Sequence, residues 1–276
     1  MKRVIVTADD FGVCPEVNRA VIQAHREGIL TCASLMVGAD AADEAVRLAR
    51  ENPTLKVGLH LVLVDGYSLL PKEEIPDLVD DAGRFAGEAV VSGMRYFFSR
   101  RVRRQIQREC EAQIQGFLAT GLAMDHLNSH WHLHIHPAIC DILLPLVKAY
   151  RIPAVRLPWQ GLRTLTRRQC VTAAVMFPWV IRLRRKLEKN AVAYNRELFG
   201  LYETGAMNRQ SWLRSIPKLR SGVTEFYCHP AVRETSFLRQ AAPSYDHAGE
   251  LEALVSPEVR AALAREGAVF TRFGDL

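Results

Sequence analysis

Apolar, β-branched residues run unbroken over Val4–Thr7 and give way to Ala8-Asp9-Asp10-Phe11-Gly12, which predicts a buried parallel strand feeding a polar loop. Helical spacing follows over Glu16–Glu27 and stops at Gly28. A second strand is expected at Ala33–Val37, then an Ala-rich helix over Ala39–Glu51 ended by Asn52-Pro53. Lys56–Leu61 reads as a third strand with His60 near its end. Asp65–Gly93 has no regular period and collects Gly, Pro and acidic residues, so an insertion is expected at about 65–99. Arg100–Thr120 is strongly amphipathic, with Ile106, Cys110, Ile114, Phe117 and Leu118 on its apolar side. Met124–Ser129 is a strand, and the alternation of His130-Trp131-His132-Leu133-His134-Ile135-His136 continues its period. Pro137 is placed to open a helix reaching Tyr150. Short strands are expected at Ala154–Leu157, Val223–Cys228 and Ala268–Phe273, with a helix over Pro257–Glu266.

Strand and helix alternating at this spacing predict βαβ units and a parallel sheet, hence an α/β fold. The pattern does not separate a closed barrel from an open sheet. In both, the carboxyl ends of the strands share one face, where functional groups gather. Asp9, Asp10, His60, His130 and His229 all fall just after expected strands, so residues far apart in sequence are expected to converge there.

The 276 residues are 49% apolar and 24% charged, which excludes a disordered or low-complexity chain and fits one domain over 1–276. The net charge of +6 is concentrated. Arg163–Lys189 holds eight Lys/Arg and one carboxylate, a local surplus larger than that of the whole chain, so a chain-wide nucleic-acid surface is not indicated. That stretch also carries Phe177, Trp179 and Ile181, an interfacial composition too charged to span a bilayer. It lies in a second expected insertion, at about 160–200. Pro178 predicts two short helices or a kinked one there, and the segment reads as a helical face packed on the domain, a membrane contact or a homodimer interface. The six cysteines are scattered without a CxxC pair and read as free thiols. No leader or membrane-spanning run is legible, so the expected location is cytoplasmic, with peripheral contact at the inner membrane.

Five of the nine histidines lie in His126–His136. Imidazole suits zinc and related ions, and a carboxylate with an open water position completes a hydrolytic site. Not all five can reach one ion, so the others must orient ligands, hold substrate or cap the next helix. Asp9 and Asp10 cannot point the same way in extended chain, which lets one bind metal while the other faces water as a base. His60 after Gly58 is a plausible third ligand, and His229 is a candidate acid whose pKa could be set near neutrality.

Thr7-Ala8-Asp9-Asp10-Phe11-Gly12, Gly58-Leu59-His60, Asn128-Ser129-His130-x-His132-x-His134, Val155-Arg156-Leu157-Pro158 and Glu225-Phe226-Tyr227-Cys228-His229-Pro230 together resemble the YdjC-like carbohydrate deacetylases, along the whole chain. Within that family the sequence is most similar to the hopanoid-biosynthesis-associated deacetylase. The resemblance implies a distorted TIM-like (β/α) barrel of parallel strands, here with a basic amphipathic helical insertion. It implies one divalent metal on Asp10, His60 and His130, with Asp9 as base, His229 as opposing acid and Arg156 orienting the catalytic carboxylate. Zinc is favoured by the imidazoles; magnesium, manganese, nickel and cobalt also fit. His132, His134 and Asn128 are expected to hold substrate or support the ligands; many relatives have Asp where this chain has Asn128. The implied reaction releases acetate from an N-acetylglucosaminyl hopanoid. Deacetylation of soluble chitooligosaccharides and non-catalytic binding of metal or carbohydrate are the competing readings.

Overall fold

The structure, a computed structural model, describes residues 1–85 and 99–276. Within the insertion expected at about 65–99, residues 86–98 lie outside the described residues. At the centre runs β1 (Lys2–Phe11), flanked on one side by β6 (Gly222–Cys228) and on the other by β2 (Cys32–Leu35). The pairings within this sheet are parallel: β4 (Met124–Ser129), β3 (Lys56–Leu61), β2, β1, β6 and β5 (Glu197–Phe199) follow in order. A last strand, β7 (Ala268–Phe270), pairs with the first residues of β1. The expected strand at Ala154–Leu157 makes only isolated bridges, Leu127 to Val155 and Ala154 to Ala193, which link β4 to the chain entering β5. The sheet is therefore a parallel half-barrel whose ring is completed by two bridges, a distorted TIM-like barrel.

The crossovers are helical, as the periodicity requires. α1 (Pro15–Arg26) and α2 (Ala42–Glu51) follow β1 and β2, and α3 (Arg100–Ala119) precedes β4. α4 (Pro137–Ala149) and α5 (Arg167–Lys189) lie between β4 and β5, and α6 (Arg209–Ser215) between β5 and β6. α7 (Ser236–Ala241), α8 (His247–Leu254) and α9 (Pro257–Arg265) lead to β7. The basic stretch is one helix, not two. Thr166 starts α5 with a capping box, and Pro178 sits on its exposed side, where water can satisfy the carbonyl that a proline leaves without a donor.

Alternation along the strands divides the core. Val4, Val6 and Ala8 join the large apolar cluster between sheet and helices, whereas Ile5 belongs to a small cluster with Cys32, Ala154, Val223 and Phe273 inside the ring. Above that apolar floor the interior is polar yet buried: Thr7, Asp9, Ser34, His126, Asn128, Arg156 and Glu225. Such residues are stable inside a barrel only if they bond to one another. Gly58 makes room for this packing, since a Cβ there would lie 2.5 Å from the His126 ring.

Candidate active site

The two adjacent carboxylates separate because Asp10 adopts a left-handed backbone (φ 62°), a conformation Asp tolerates better than bulkier residues. Asp9 points into the ring. Arg156 grips it with both terminal nitrogens, Nη1 to Oδ2 at 2.5 Å and Nη2 to Oδ1 at 3.0 Å, and also donates to Glu225 through Nε at 2.9 Å and Nη2 at 2.6 Å. The guanidinium lies 4.9 Å over the Tyr227 ring. Burial by itself would raise the Asp9 carboxyl, but Arg156, His60 and His229 outweigh it and hold the group far below the usual carboxylate range.

Asp10 points instead to the strand ends. Its Oδ1 lies 3.3 Å from His60 Nε2 and 3.3 Å from His130 Nδ1. The three donor atoms are all within 4.8 Å of one another, and neither Asp10 Oδ1 nor His60 Nε2 has a hydrogen bond of good geometry among the described residues. Two imidazoles and a carboxylate at this spacing are a borderline-metal donor set, since ligand atoms about 2.1 Å from a tetrahedral ion sit ~3.4 Å apart. The residues fit a divalent ion. His60 is buried, while Asp10 and His130 are each 19% exposed, so access is from their side.

The tautomer of His60 is fixed from behind. Its Nδ1–H donates to Asn128 Oδ1 at 2.7 Å, leaving Nε2 free to ligate, and Asn128 Nδ2 donates to Asp9 Oδ1 at 3.1 Å and Ser34 Oγ at 2.9 Å. The amide thus serves two masters of different need: an imidazole N–H and a carboxylate. A longer chain of contacts runs on from Ser34 Oγ to His126 Nε2 (3.0 Å), from His126 Nδ1 to Asp125 Oδ2 (3.1 Å), and from Asp125 Oδ1 to the Gly274 N–H (2.9 Å). Burial opposes a charged His60, yet Asp9 and Asp10 raise its pKa above the ordinary value.

The histidine run does not remain a strand. β4 stops at Ser129, and His130–Ile135 coils into a helical turn in which Trp131 (φ 53°) and His132 (φ 52°) are left-handed. Instead of one face, the five rings take different directions. His130 meets Asp10, and His132 places Nε2 3.4 Å from the Tyr227 hydroxyl. His134 turns inward, accepting from Ser129 Oγ (2.7 Å) and donating to the Arg156 carbonyl (2.9 Å). His126 belongs to the interior chain of contacts, and the His136 ring lies 5.5 Å from that of Trp179.

His229 sits at the end of β6 beside Tyr227 and Tyr245, with ring centroids 5.4 Å and 5.0 Å away. Its backbone N–H donates to Glu250 Oε2 at 2.5 Å. The pKa near neutrality expected for His229 is not what the site provides: burial pushes it down to about 4, against the upward pull of Asp10 and Asp9. Glu225, Tyr227, Ser34 and Glu250 were not singled out from sequence. Glu225 and Tyr227 carry a usable signal, because they share the inward face of β6 with His229 at a spacing of two.

The model of the YdjC-like protein family matches residues 3–265. This chain belongs to the YdjC-like family. It is 32% identical to a carbohydrate deacetylase of Brevibacillus brevis over 259 residues, covering 94% of this chain and 93% of the relative. It is 30% identical to a carbohydrate deacetylase of Geobacillus stearothermophilus over 266 residues, covering 95% and 93%. The crystal structure of an Enterococcus faecalis V583 protein superposes on this YdjC-like chain with a TM-score of 0.78 at 27% identity, covering 99% and 98% of the two chains.

Proposed function

We propose that this protein is a metal-dependent carbohydrate deacetylase that hydrolyses the N-acetyl group of an amino sugar. One observation carries the reading: in a YdjC-like chain, the Asp10–His60–His130 cluster lies at the strand ends with the Arg156-bound Asp9 and His229 beside it. Asp10, His60 and His130 would hold a divalent ion, zinc being preferred for its affinity for imidazole, and such an ion would supply Lewis-acid polarisation of the acetyl carbonyl and acidification of a bound water.

The side chains of the protein supply the rest. Arg156 holds Asp9 ionised and oriented, so Asp9 accepts the proton of the attacking water. His229 is neutral at rest, so it must first take over the proton that Asp9 accepted from the water and then deliver it to the nitrogen as the carbonyl C–N bond breaks. The water oxygen ends in acetate and its two protons on the amine, leaving an ammonium sugar. No covalent intermediate on the protein is required.

For the substrate we favour an N-acetylglucosaminyl hopanoid, with α5 resting on the membrane surface. The motif resemblance supports it, as does the exposed apolar face of α5, where Val171 is 68% and Val175 72% exposed between arginines. The test is acetate release from that glycolipid and from chitobiose, with added zinc, after chelation, and with Asp9→Asn. Zinc-dependent release lost in Asp9→Asn supports deacetylation. Release from chitobiose alone removes the lipid assignment, and none from either removes the reaction.

A further inference from the structure

A second concavity lies away from the strand-end cluster. α6 has only seven residues and packs against α8 and α9. The groove left between α5 and the turn at Ile216–Lys218 has a volume of about 1170 Å³. Trp159, Phe177 and Ile181 form an apolar wall, with the Trp159 and Phe177 rings 5.4 Å apart. Arg3, Arg163, Arg184, Arg196, Lys218 and Arg220 surround it, against the single carboxylate of Glu197. Arg184 pairs with Glu188 and Arg196 donates to the Ser221 carbonyl, but among the described residues Arg3, Arg163, Lys218 and Arg220 make no ion pair. Glu197 accepts the Gly161 N–H, and burial raises its pKa. An apolar wall under unpaired cations is complementary to an amphiphile with an anionic head.

The neighbouring face of α5 says where such an amphiphile would come from. Val171, Ala174, Val175 and Pro178 project outward on successive turns, bracketed by Arg167 and Arg168 at one end and Arg185 at the other, where Arg182 is held by Asp141. Apolar residues between terminal arginines suit a helix lying in a headgroup layer, with the arginines reaching up to phosphates. Val180, Leu183 and Leu187 on the opposite side anchor α5 to the domain, so this outward stripe is not needed for folding.

We propose that the groove between α5 and the Ile216–Lys218 turn binds the headgroup of an anionic phospholipid and docks the protein on an anionic bilayer. The inference shares with the proposed function the idea that α5 meets a membrane, but it does not depend on deacetylation. It is tested without sugar substrate, by sedimentation of the full chain with vesicles of phosphatidylcholine alone and of phosphatidylcholine mixed equally with phosphatidylglycerol. Binding is expected only to the mixed vesicles. Lys218→Gln/Arg220→Gln should weaken it about 30-fold, and Phe177→Ser should weaken it as well. Arg100→Gln/Arg104→Gln, the same charge change placed on α3, should change it by less than about threefold. No binding to mixed vesicles, equal binding to neutral ones, or equal losses in the two double variants would overturn the proposal. Acetate release from chitobiose by Lys218→Gln/Arg220→Gln separates the two ideas, because the groove can fail while the chemistry stands, and the reverse.

Discussion

Asn128 shows how much a single amide can decide at the residue scale. It accepts from His60 and donates to Asp9, so it fixes which imidazole nitrogen is left for a metal while steadying the neighbouring carboxylate. Asn128→Ala is expected to weaken zinc binding by about 10–100-fold with little change in the backbone, read by competitive titration against a chromophoric chelator. His134 has the opposite character, being a histidine with a structural duty. Burial, aided by the charge of Arg156, pushes its pKa down to about 3. Its unfolded value is near 6.5, so the unfolded chain binds the extra proton first as pH falls. The stability that His134 contributes is therefore complete above about pH 6.5 and is lost progressively toward pH 3. Melting curves of chelated protein across that window should show wild type losing stability more steeply than His134→Gln, with the gap closing at the acid end. His229 titrates in part of the same range but is common to both proteins, so the difference isolates His134.

At the scale of elements, the turn from His130 to Ile135 departs furthest from the sequence expectation. Alternation of His with Trp, Leu and Ile predicts a strand, yet two successive left-handed residues break the run and send its rings in separate directions. Left-handed backbone in a residue with a Cβ costs on the order of 1–2 kcal/mol, and such strain persists where the surroundings impose it. Trp131 is also 61% exposed, so packing does not repay it. Trp131→Asn, which suits the left-handed region better, should raise stability by about 0.5–1 kcal/mol and lower kcat/KM. A calorimetric melt and a rate measurement on the same sample check both halves. Several other elements are more legible, although no periodicity marks β5, α6, α7 or α8, and the strand expected at Ala154–Leu157 is reduced to isolated bridges. The expected and observed bounds coincide at Lys56–Leu61 and differ by one residue at Arg100–Ala119 and Pro137–Ala149, because apolar periods and proline or glycine boundaries are local signals.

For the whole molecule, the base of the ring matters to its top. Phe273 is buried inside, stacked 4.5 Å from His126, and the next residue's N–H is bound by Asp125. Phe273→Ala is expected to cost about 3–5 kcal/mol. It should also loosen His126 and, through Ser34 and Asn128, reduce zinc affinity measured well below the unfolding temperature. Unchanged zinc affinity in a destabilised variant would show that the floor supports the fold without setting the ligands.

The sequence alone determined the α/β class, most strand and helix positions, and the placement of Asp9, Asp10, His60, His130 and His229 at strand ends, because period, capping and the shared polarity of parallel strands are written locally. Tertiary structure decided which histidines meet. It also decided that Arg156 lies between Asp9 and Glu225, residues on the separate strands β1 and β6, and that Phe273, three residues before Leu276, supports the His126 ring behind the Asp10–His60–His130 cluster. Nor could local sequence place His229 below its ordinary pKa, since burial and the distances to Asp9 and Asp10 exist only after the ring forms. Hydrophobic period reports which face of an element is buried; only the packed ring reports what that face is buried against.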